Sequence, residues 1–531
     1  MDIVGNRTLY SIFRSHADQQ PDRIWLTYES PDGQVARWTF SDFLDTVHQA
    51  ANLLAGLGVG SGDVVNLHLG NHPAYPQVIL AASYLGAIVL PTSPSCTVEE
   101  LRYFLEHSET KLIITEHHLL PQVESAARDR RGQVLLIRRN YSADKYKCYD
   151  AELERQNRTV SGGEGTVDKV LQLLYTSGTT SRPKGVMLTN ANFVYGSEAF
   201  RAATGLRGED HHLISLPLYH SAAQCHALWP SLIAGCNVTI VSRFSASRFF
   251  QQAKRYEVTM AALFGTPLRL LLNQPPRASD RAHKLRNITY AQNLTPAQYR
   301  DWHTRFAVPL QQVWGMTELC ALPIMSPLSQ ERRLTAMGRP VLGYDCKIID
   351  AAGRELPAGK PGQLIVRGVP GHSLMKGYLK NEAATQQTIR ELDGANWLFS
   401  GDTAMYDEDG FFYFLDRSSD MIKRSGINIS TSEVESVIAR LSEVAEVCVC
   451  GLPDSTREEL VAAVIVRRPE TALTAEQVRA HCAANLAAFK IPERIEFSDQ
   501  LPRTSVGKIR KNRVREELLN SRASGLPSSH Q

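Results

Sequence analysis

The chain has 531 residues, of which 58 are Lys or Arg and 55 are Asp or Glu, so its formal net charge is only +3. Hydrophobic residues make up 43% and charged residues 21%, a composition typical of globular proteins that excludes a mainly disordered chain. The weak net charge gives no reason to expect nucleic acid as a partner. The longest apolar stretch, 78–90, is too short to span a bilayer, so we expect no stable membrane insertion.

The start of the chain and its cysteines indicate a cytoplasmic protein. The first residues carry charged side chains and no apolar core of a signal peptide. The nine cysteines are scattered without a Cys-x-x-Cys pair, and an odd number does not suit a disulfide framework. We therefore expect buried thiols in a reducing compartment.

Strand-like and helix-like segments alternate along most of the chain, which predicts an α/β fold. Short buried strands are predicted at 63–69, 111–115 and 170–174. Several predicted helices begin with a capping box, in which a hydroxyl side chain and an acid or amide three residues later accept from backbone N–H groups. The boxes pair Thr97 with Glu100, Ser432 with Glu435 and Thr474 with Gln477.

A polar segment at 416–428 separates an aromatic strand from a capped helix and predicts a domain boundary. It divides the chain into residues 1–417 and 418–531. The second part has its own βαβ-like pattern, enough for a small domain. Its end, from Leu501 onward, is rich in Lys and Arg. This stretch is either a solvated basic face or a mobile segment that meets a phosphate-bearing ligand.

The most informative stretch is 174–186, where hydroxyl side chains, a Gly and a Lys follow a predicted strand. Hydroxyls, backbone N–H groups and one ammonium suit a bound triphosphate. It is not a Walker A loop, because Pro183 precedes the Lys and the residues after it favour a strand and not a helix. The candidate phosphate-binding residues are Thr176, Ser177, Gly178, Thr179, Thr180 and Lys184.

This loop resembles the signature of the adenylate-forming superfamily, which comprises acyl-CoA synthetases, luciferases and peptide-synthetase adenylation domains. Further motifs follow in the family's order along most of the chain. The resemblance implies a large N-terminal AMP-binding domain of layered α/β subdomains and a small mobile C-terminal α+β lid domain. One residue departs from the pattern, since Ser181 stands where the family usually has Gly. If that position needs a positive φ, the Ser costs about 1 kcal/mol.

The resemblance also implies roles for residues in the later motifs. In the N-terminal domain, His220 gates the carboxylate pocket, Trp314 stacks on adenine, Thr317 touches phosphate and Glu318 reaches Mg²⁺. Near the boundary, Asp402 and Arg417 hold the ribose, Lys423 and Gly426 belong to the following loop, and Lys508 is the catalytic Lys of the lid.

One family motif is absent, because 289–294 stands where a Gly-Gly-Ala segment is usual. This variant resembles that of bacterial crotonobetaine/carnitine-CoA ligases. Its Asn293 would hydrogen-bond either the adenine edge or the substrate, and both interpretations stay open.

Together the motifs imply ATP-dependent activation of a carboxylic acid to an acyl-adenylate, followed by transfer to the thiol of coenzyme A. The expected ligands are the acid, ATP, Mg²⁺ and CoA, and a homodimer is left open. Catalysis of this kind is mostly neutralisation and positioning of two anions. The alternative is a ligase that loads the phosphopantetheine of a carrier protein. Small side chains at 221–224 and 264–266 either leave room for a bulky acyl group or only pack.

Overall fold

The computed structural model describes residues 2–128, 133–137, 146–161, 165–176, 183–291, 294–328, 333–417, 420–424, 427–454, 457–503 and 509–523. The chain forms two compact units, the first from residues 1–346 and 366–399 and the second from 347–365 and 400–531. Both contain helices and strands, which confirms the predicted α/β class. The predicted boundary between residues 417 and 418 lies inside the second unit and stays a prediction. Within the described part of the chain, no helix is long and apolar enough to cross a membrane.

The first unit contains a mostly parallel sheet that carries the predicted phosphate loop. Its central strands are rich in Val, Ile and Leu and are buried along their length, as parallel strands with both faces covered must be. The described strands lie in the spatial order Gly377–Tyr378, Lys184–Thr189, Val170–Thr176, Ile88–Thr92, Val64–His68, Leu112–Glu116, Gln133–Ile137 and Lys147–Cys148.

A second sheet of the first unit carries the Trp314 and Glu318 motif at one side. Its inner strands are again parallel, whereas the strands at both ends are antiparallel to their neighbours. The described strands lie in the order Arg339–Pro340, Ala321–Met325, Leu310–Met316, Asn287–Ala291, Met260–Phe264, His211–Ile214, Asn237–Val241, Ile24–Glu29 and Val35–Thr39.

Helices connect the strands of the first unit and bury their apolar faces in its core, for example Leu9, Phe13 and Trp229. The α-helices are Leu9–Gln19, Phe40–Gly56, Ala74–Leu85, Val98–His107, Leu120–Ala126, Tyr149–Glu154, Asn190–Thr204, Ser221–Ala223, Trp229–Ala234, Phe249–Arg255, Gly265–Leu272, Pro296–Phe306 and Glu382–Thr388. A π-helix covers Gln224–Leu228, and 3₁₀ turns cover His117–Leu119, Ala278–Arg281 and Thr317–Leu319.

The second unit has its own core beneath an antiparallel strand pair, Val444–Asp454 and Glu458–Arg467. The further strands are Phe412–Arg417, Ile422–Arg424, Ile427–Ile429 and Arg494–Phe497, and the helices are Thr431–Ile438, Ala475–Asn485, Ala488–Lys490 and Lys511–Ala523. Strand Ile389–Leu392 belongs to the first unit. Three strands, Cys346–Ile349, Gly362–Arg367 and Ala395–Tyr406, contain the points where the chain passes from one unit to the other.

The predicted strands are confirmed with small shifts at their ends. They run Val64–His68, Leu112–Glu116 and Val170–Thr176. Two of the three capping boxes are also confirmed, at Thr97 with Glu100 and at Thr474 with Gln477.

The third capping box, Ser432 with Glu435, is wrong. The helix begins at Thr431, and Ser430 caps it by accepting from the Glu433 N–H. Ser432 thus lies inside the first turn, and its N–H, which the box would give to Glu435, donates to the Asp416 carboxylate. Glu435 instead accepts from the N–H of a neighbouring strand.

Candidate active site

The base of the predicted phosphate loop is an antiparallel strand pair. Strand Val170–Thr176 pairs with Lys184–Thr189, and Thr176 lies directly opposite Lys184. The segment after Lys184 is therefore a strand, as predicted, and not the helix that follows a Walker A loop. The Tyr103 hydroxyl donates to the Pro183 carbonyl at 3.0 Å and holds the loop's second end.

Lys184 faces an aromatic ring that connects it with the predicted metal ligand. Its Nζ lies 4.3 Å from the centroid of the Tyr378 ring, within the range of a cation–π interaction. The Tyr378 hydroxyl donates to Glu318 Oε1 at 2.9 Å. An ammonium, a phenol and a carboxylate thus meet in the first unit, which suits a ligand that carries both phosphate and Mg²⁺.

Pairing of a two-residue strand fixes the position of Tyr378. Gly377 and Tyr378 lie opposite Met187 and Val186 in the strand that Lys184 begins. The sequence interpretation did not include Tyr378, because nothing in a Gly-Tyr dipeptide indicates pairing with a strand nearly two hundred residues earlier.

Glu318 lies on a tight turn after strand Leu310–Met316. It is only 8% exposed, and its carbonyl accepts from the Met375 N–H at 2.7 Å. The turn needs Gly315, because a Cβ atom there would lie 2.2 Å from the Ala321 carbonyl oxygen. It ends at Cys320, whose φ is +50°.

His220 and Thr317 lie on neighbouring segments of the same unit. The Thr317 hydroxyl is 3.2 Å from the hydroxyl of Ser221, the residue after His220. The Nδ1 atom of His220 accepts from the Ala222 N–H at 3.1 Å, which assigns the proton of the neutral ring to Nε2. The Nε2–H is then a donor suited to a substrate carboxylate. The ring meets Phe264 edge-on, with 6.1 Å between centroids.

Trp314 is packed in the fold, with only 8% of its surface exposed. It lies opposite Ile324 in an antiparallel strand pair. Its predicted stacking on adenine therefore stays a prediction.

The second unit brings the two predicted ribose ligands together. Asp402 and Arg417 are opposite each other in paired strands, with 3.1 Å between Arg417 Nε and Asp402 Oδ1. Asp402 is 3% exposed, and its N–H donates to the Ser400 hydroxyl at 3.0 Å. An oriented carboxylate accepts well from a pair of hydroxyl groups. Lys423 lies on strand Ile422–Arg424 and is exposed.

Several predicted site residues fall outside the described residues, and their roles stay predictions. They are Ser177, Gly178, Thr179, Thr180, Asn293, Gly426 and Lys508.

The pattern of motifs matches a known family. The AMP-binding enzyme family matches residues 13–379, and the AMP-binding enzyme C-terminal domain matches residues 433–508. The chain belongs to the AMP-binding enzyme family. This confirms the resemblance to the adenylate-forming superfamily, because its two matched parts follow in the expected order.

Full-length relatives share the same organisation. A crotonobetaine/carnitine–CoA ligase of Escherichia coli is 34% identical over 518 residues, covering 96% of this chain and 100% of that protein. The enzyme of the same name from Salmonella agona is 32% identical over 520 residues, covering 97% and 100%.

Solved structures confirm the fold over nearly the whole chain. The anthranilate CoA ligase AuaEII in complex with anthranoyl-AMP has a TM-score of 0.89 at 25% identity and covers 98% of both chains. ATP-bound MatB from Rhodopseudomonas palustris has a TM-score of 0.86 at 25% identity, covering 96% of this chain and 99% of that chain. The predicted large N-terminal and smaller C-terminal α/β domains are thus confirmed.

The residues present fit a Mg²⁺ ion that is shared with phosphate. Among the described residues, no cluster of three or more His, Cys, Asp or Glu side chains forms a metal site of its own. Glu318 would supply one hard oxygen ligand, and the Tyr378 hydroxyl orients its carboxylate. Mg²⁺ is commonly held by one or two carboxylates, water and substrate phosphates, and this arrangement suits that kind of site.

Proposed function

We propose that Lys184, His220, Glu318 and Lys508 carry the first half-reaction of an AMP-forming acid–CoA ligase in this chain. The enzyme activates a carboxylic acid with ATP and transfers the acyl group to coenzyme A. The contact of Lys184 and Glu318 with the ring and the hydroxyl of the same residue, Tyr378, is the observation that supports the roles of these two residues most strongly.

The reaction joins two anions, so the protein must neutralise charge before it can position the reactants. One oxygen of the substrate carboxylate attacks the α-phosphorus of ATP, and the bond to pyrophosphate breaks. The Nε2–H of His220 holds the carboxylate, and Lys184 and the loop hydroxyls hold the phosphates. Mg²⁺ at Glu318 supplies further neutralisation of phosphate charge when it is bound.

In the second half-reaction the CoA sulfur attacks the acyl carbon, AMP leaves, and the thiol proton passes to solvent. Asp402 and Arg417 hold the ribose in this proposal, and Trp314 stacks on adenine. Lys508 acts in adenylate formation, and a rotation of the C-terminal domain removes it before the thiol arrives.

The relatives supply the first candidate acids. We would measure acid-dependent exchange of labelled pyrophosphate into ATP with crotonobetaine, carnitine and anthranilate. Exchange with any acid, reduced in Lys184→Ala because ATP binds more weakly, is the expected result. Absence of exchange throughout a wider acid panel would contradict the proposal.

The thiol acceptor separates CoA transfer from the carrier-protein alternative. With an acid that supports exchange, we expect loss of free CoA thiol in a colorimetric assay and formation of acyl-CoA. Loading of carrier-protein phosphopantetheine without use of free CoA would favour the alternative.

A cytoplasmic location is also part of the proposal, and the oligomeric state is left open between a monomer and a homodimer. Light scattering coupled to gel filtration tests the oligomeric state, and cell fractionation tests the location.

A further inference from the structure

The helical segment that follows His220 is interrupted by a π-helical turn. A short α-turn at Ser221–Ala223 leads into the π-helix Gln224–Leu228, and an α-helix continues at Trp229–Ala234. The Trp229 N–H donates to the Gln224 carbonyl, five residues back. A turn of this kind holds one residue more than an α-turn, and such turns are frequent at functional sites. Compared with an uninterrupted α-helix, the extra residue rotates the side chains of the preceding turn by about 100° around the helix axis.

The side chain of Gln224 explains why the wider turn is stable. It is completely buried, and its amide uses all four of its hydrogen-bonding positions. Oε1 accepts from Gln172 Nε2 at 2.8 Å and from Trp229 Nε1 at 2.9 Å. Nε2 donates to Gln172 Oε1 at 3.1 Å and to the Leu218 carbonyl at 2.9 Å. Because an indole can only donate and a carbonyl can only accept, the orientation of the amide is fixed.

The contact with Leu218 extends this network to the segment that carries His220. On its other side the same segment is held by Asn71, which accepts from the Leu218 N–H at 2.8 Å and donates to the Leu216 carbonyl at 3.0 Å. The His220 N–H then closes a turn onto the Pro217 carbonyl at 3.1 Å. Two buried amide side chains thus fix the backbone immediately before His220.

We propose that Gln224 is a positioning residue for His220. By holding the Leu218 carbonyl and bridging to Trp229 across the π-turn, its amide directs His220 and the neighbouring Ser221 hydroxyl towards the substrate carboxylate and Thr317. This inference rests on the proposed role of His220. Of the two interpretations of 221–224, packing holds for Gln224, because its side chain is completely buried and has no hydrogen-bonding position left for a substrate.

The test uses Gln224→Met, which keeps the length and volume of the side chain and removes all four hydrogen bonds. Acid and ATP dependence are measured separately by pyrophosphate exchange, at a temperature well below the variant's unfolding midpoint. We expect the KM for the acid to rise at least about tenfold, because small displacements near reacting groups have effects of this order. The KM for ATP should rise by a clearly smaller factor than the KM for the acid, since Gln224 itself contacts no predicted nucleotide ligand and reaches Thr317 only through Ser221.

Gln311→Met is the matched control. Gln311 is equally buried and makes three hydrogen bonds, to Asn287, Ala203 and Ser326, without touching the His220 segment. We expect a similar loss of stability with an unchanged ratio of the two KM values. If both variants shift that ratio equally, Gln224 only supports the core and the inference is overturned.

Two further variants keep the test decisive if Gln224→Met does not fold. Trp229→Phe removes one of the four hydrogen bonds and should raise the KM for the acid in the same direction, by a smaller factor. His220→Ala is measured in parallel. No effect of His220→Ala on the KM for the acid would overturn the proposed function of His220. If His220→Ala raises the KM for the acid but neither Trp229→Phe nor Gln224→Met does, the role of Gln224 is overturned and that of His220 is not.

Discussion

Glu318 is nearly buried, yet its carboxylate keeps a hydroxyl donor, Tyr378, at 2.9 Å. In Glu318→Gln the new amide oxygen can still accept from that hydroxyl, so the fold should persist while the charge is lost. We expect pyrophosphate exchange to fall by about 10²–10³, the effect of removing one preorganised electrostatic contact. The loss should be largest at limiting Mg²⁺. Wild-type exchange at limiting Mg²⁺ would rule out the metal role, and the exposed Glu382→Gln serves as the control.

Buried histidines should make the fold sensitive to acid. Burial lowers the pKa of His68 to about 4, and its ring contacts Thr92 and Gln122. In the unfolded chain the pKa is about 6.5, so the unfolded state takes up the proton first as the pH falls. The contribution of His68 to the free energy of unfolding is present in full above about pH 6.5. It declines towards pH 4 by up to about 1.4 kcal/mol per pH unit.

Urea unfolding between pH 7 and pH 4.5 tests whether the free energy of unfolding falls as the pH decreases. His68→Gln should make stability fall less steeply with decreasing pH than in the wild type, and the exposed His303→Gln should not. An identical slope in the wild type and in His68→Gln would contradict the expectation. Since burial also lowers the pKa of His212 to about 3, part of the acid sensitivity should remain in the His68 variant.

Among the elements, the two-residue strand Gly377–Tyr378 places one side chain in contact with both Lys184 and Glu318. Tyr378→Phe keeps the ring beneath the Lys184 ammonium and removes only the hydroxyl that orients Glu318. A typical hydrogen bond contributes about 1 kcal/mol, so we expect exchange to fall roughly fivefold. The Mg²⁺ concentration that gives half-maximal exchange should rise. The affinity for ATP in the absence of metal should stay the same. A variant indistinguishable from the wild type in Mg²⁺ dependence would show that the hydroxyl does not orient the ligand.

Elements set by local patterns could be predicted from the sequence, and those set by distant partners could not. The strand Val64–His68 and the cap at Thr97 follow from neighbouring residues, and both are confirmed within a residue or two. The cap predicted at Ser432 is wrong because the helix begins one residue earlier and Asp416, from another strand, accepts from the Ser432 N–H. Tyr378 was not predicted because its position also depends on a distant partner, the strand that contains Val186.

The candidate site also contains residues that could be predicted from the sequence and residues that could not. The family motifs located Lys184, Glu318, Asp402 and Arg417, and the structure brings each pair together within its own unit. The π-turn at Gln224 could not be predicted, because its stability comes from Gln172 on a separate strand. Pattern and propensity report local structure, whereas such side-chain networks depend on the completed fold.

At the scale of the whole molecule, the two half-reactions should depend differently on Lys508. If its charge is needed only where carboxylate and phosphate meet, Lys508→Ala should lose about 10²–10³ in acid-dependent exchange. Supplied with acyl-adenylate and CoA, the same variant should form thioester near the wild-type rate. Lys184→Ala, in contrast, should weaken ATP binding directly. Equal loss of both half-reactions in Lys508→Ala would remove the main support for a two-conformation mechanism.

The chain passes between the two compact units three times, and each passage lies inside a strand: Cys346–Ile349, Gly362–Arg367 and Ala395–Tyr406. Paired strands are poor protease substrates, because cleavage requires local unfolding of an extended stretch of backbone. A single cut cannot release the second unit as one intact chain, since residues 347–365 are separated in sequence from 400–531. During synthesis, residues 347–365 leave the ribosome before residues 400–531, with which they form the second unit. The second unit can therefore complete its folding only after the end of the chain has been made.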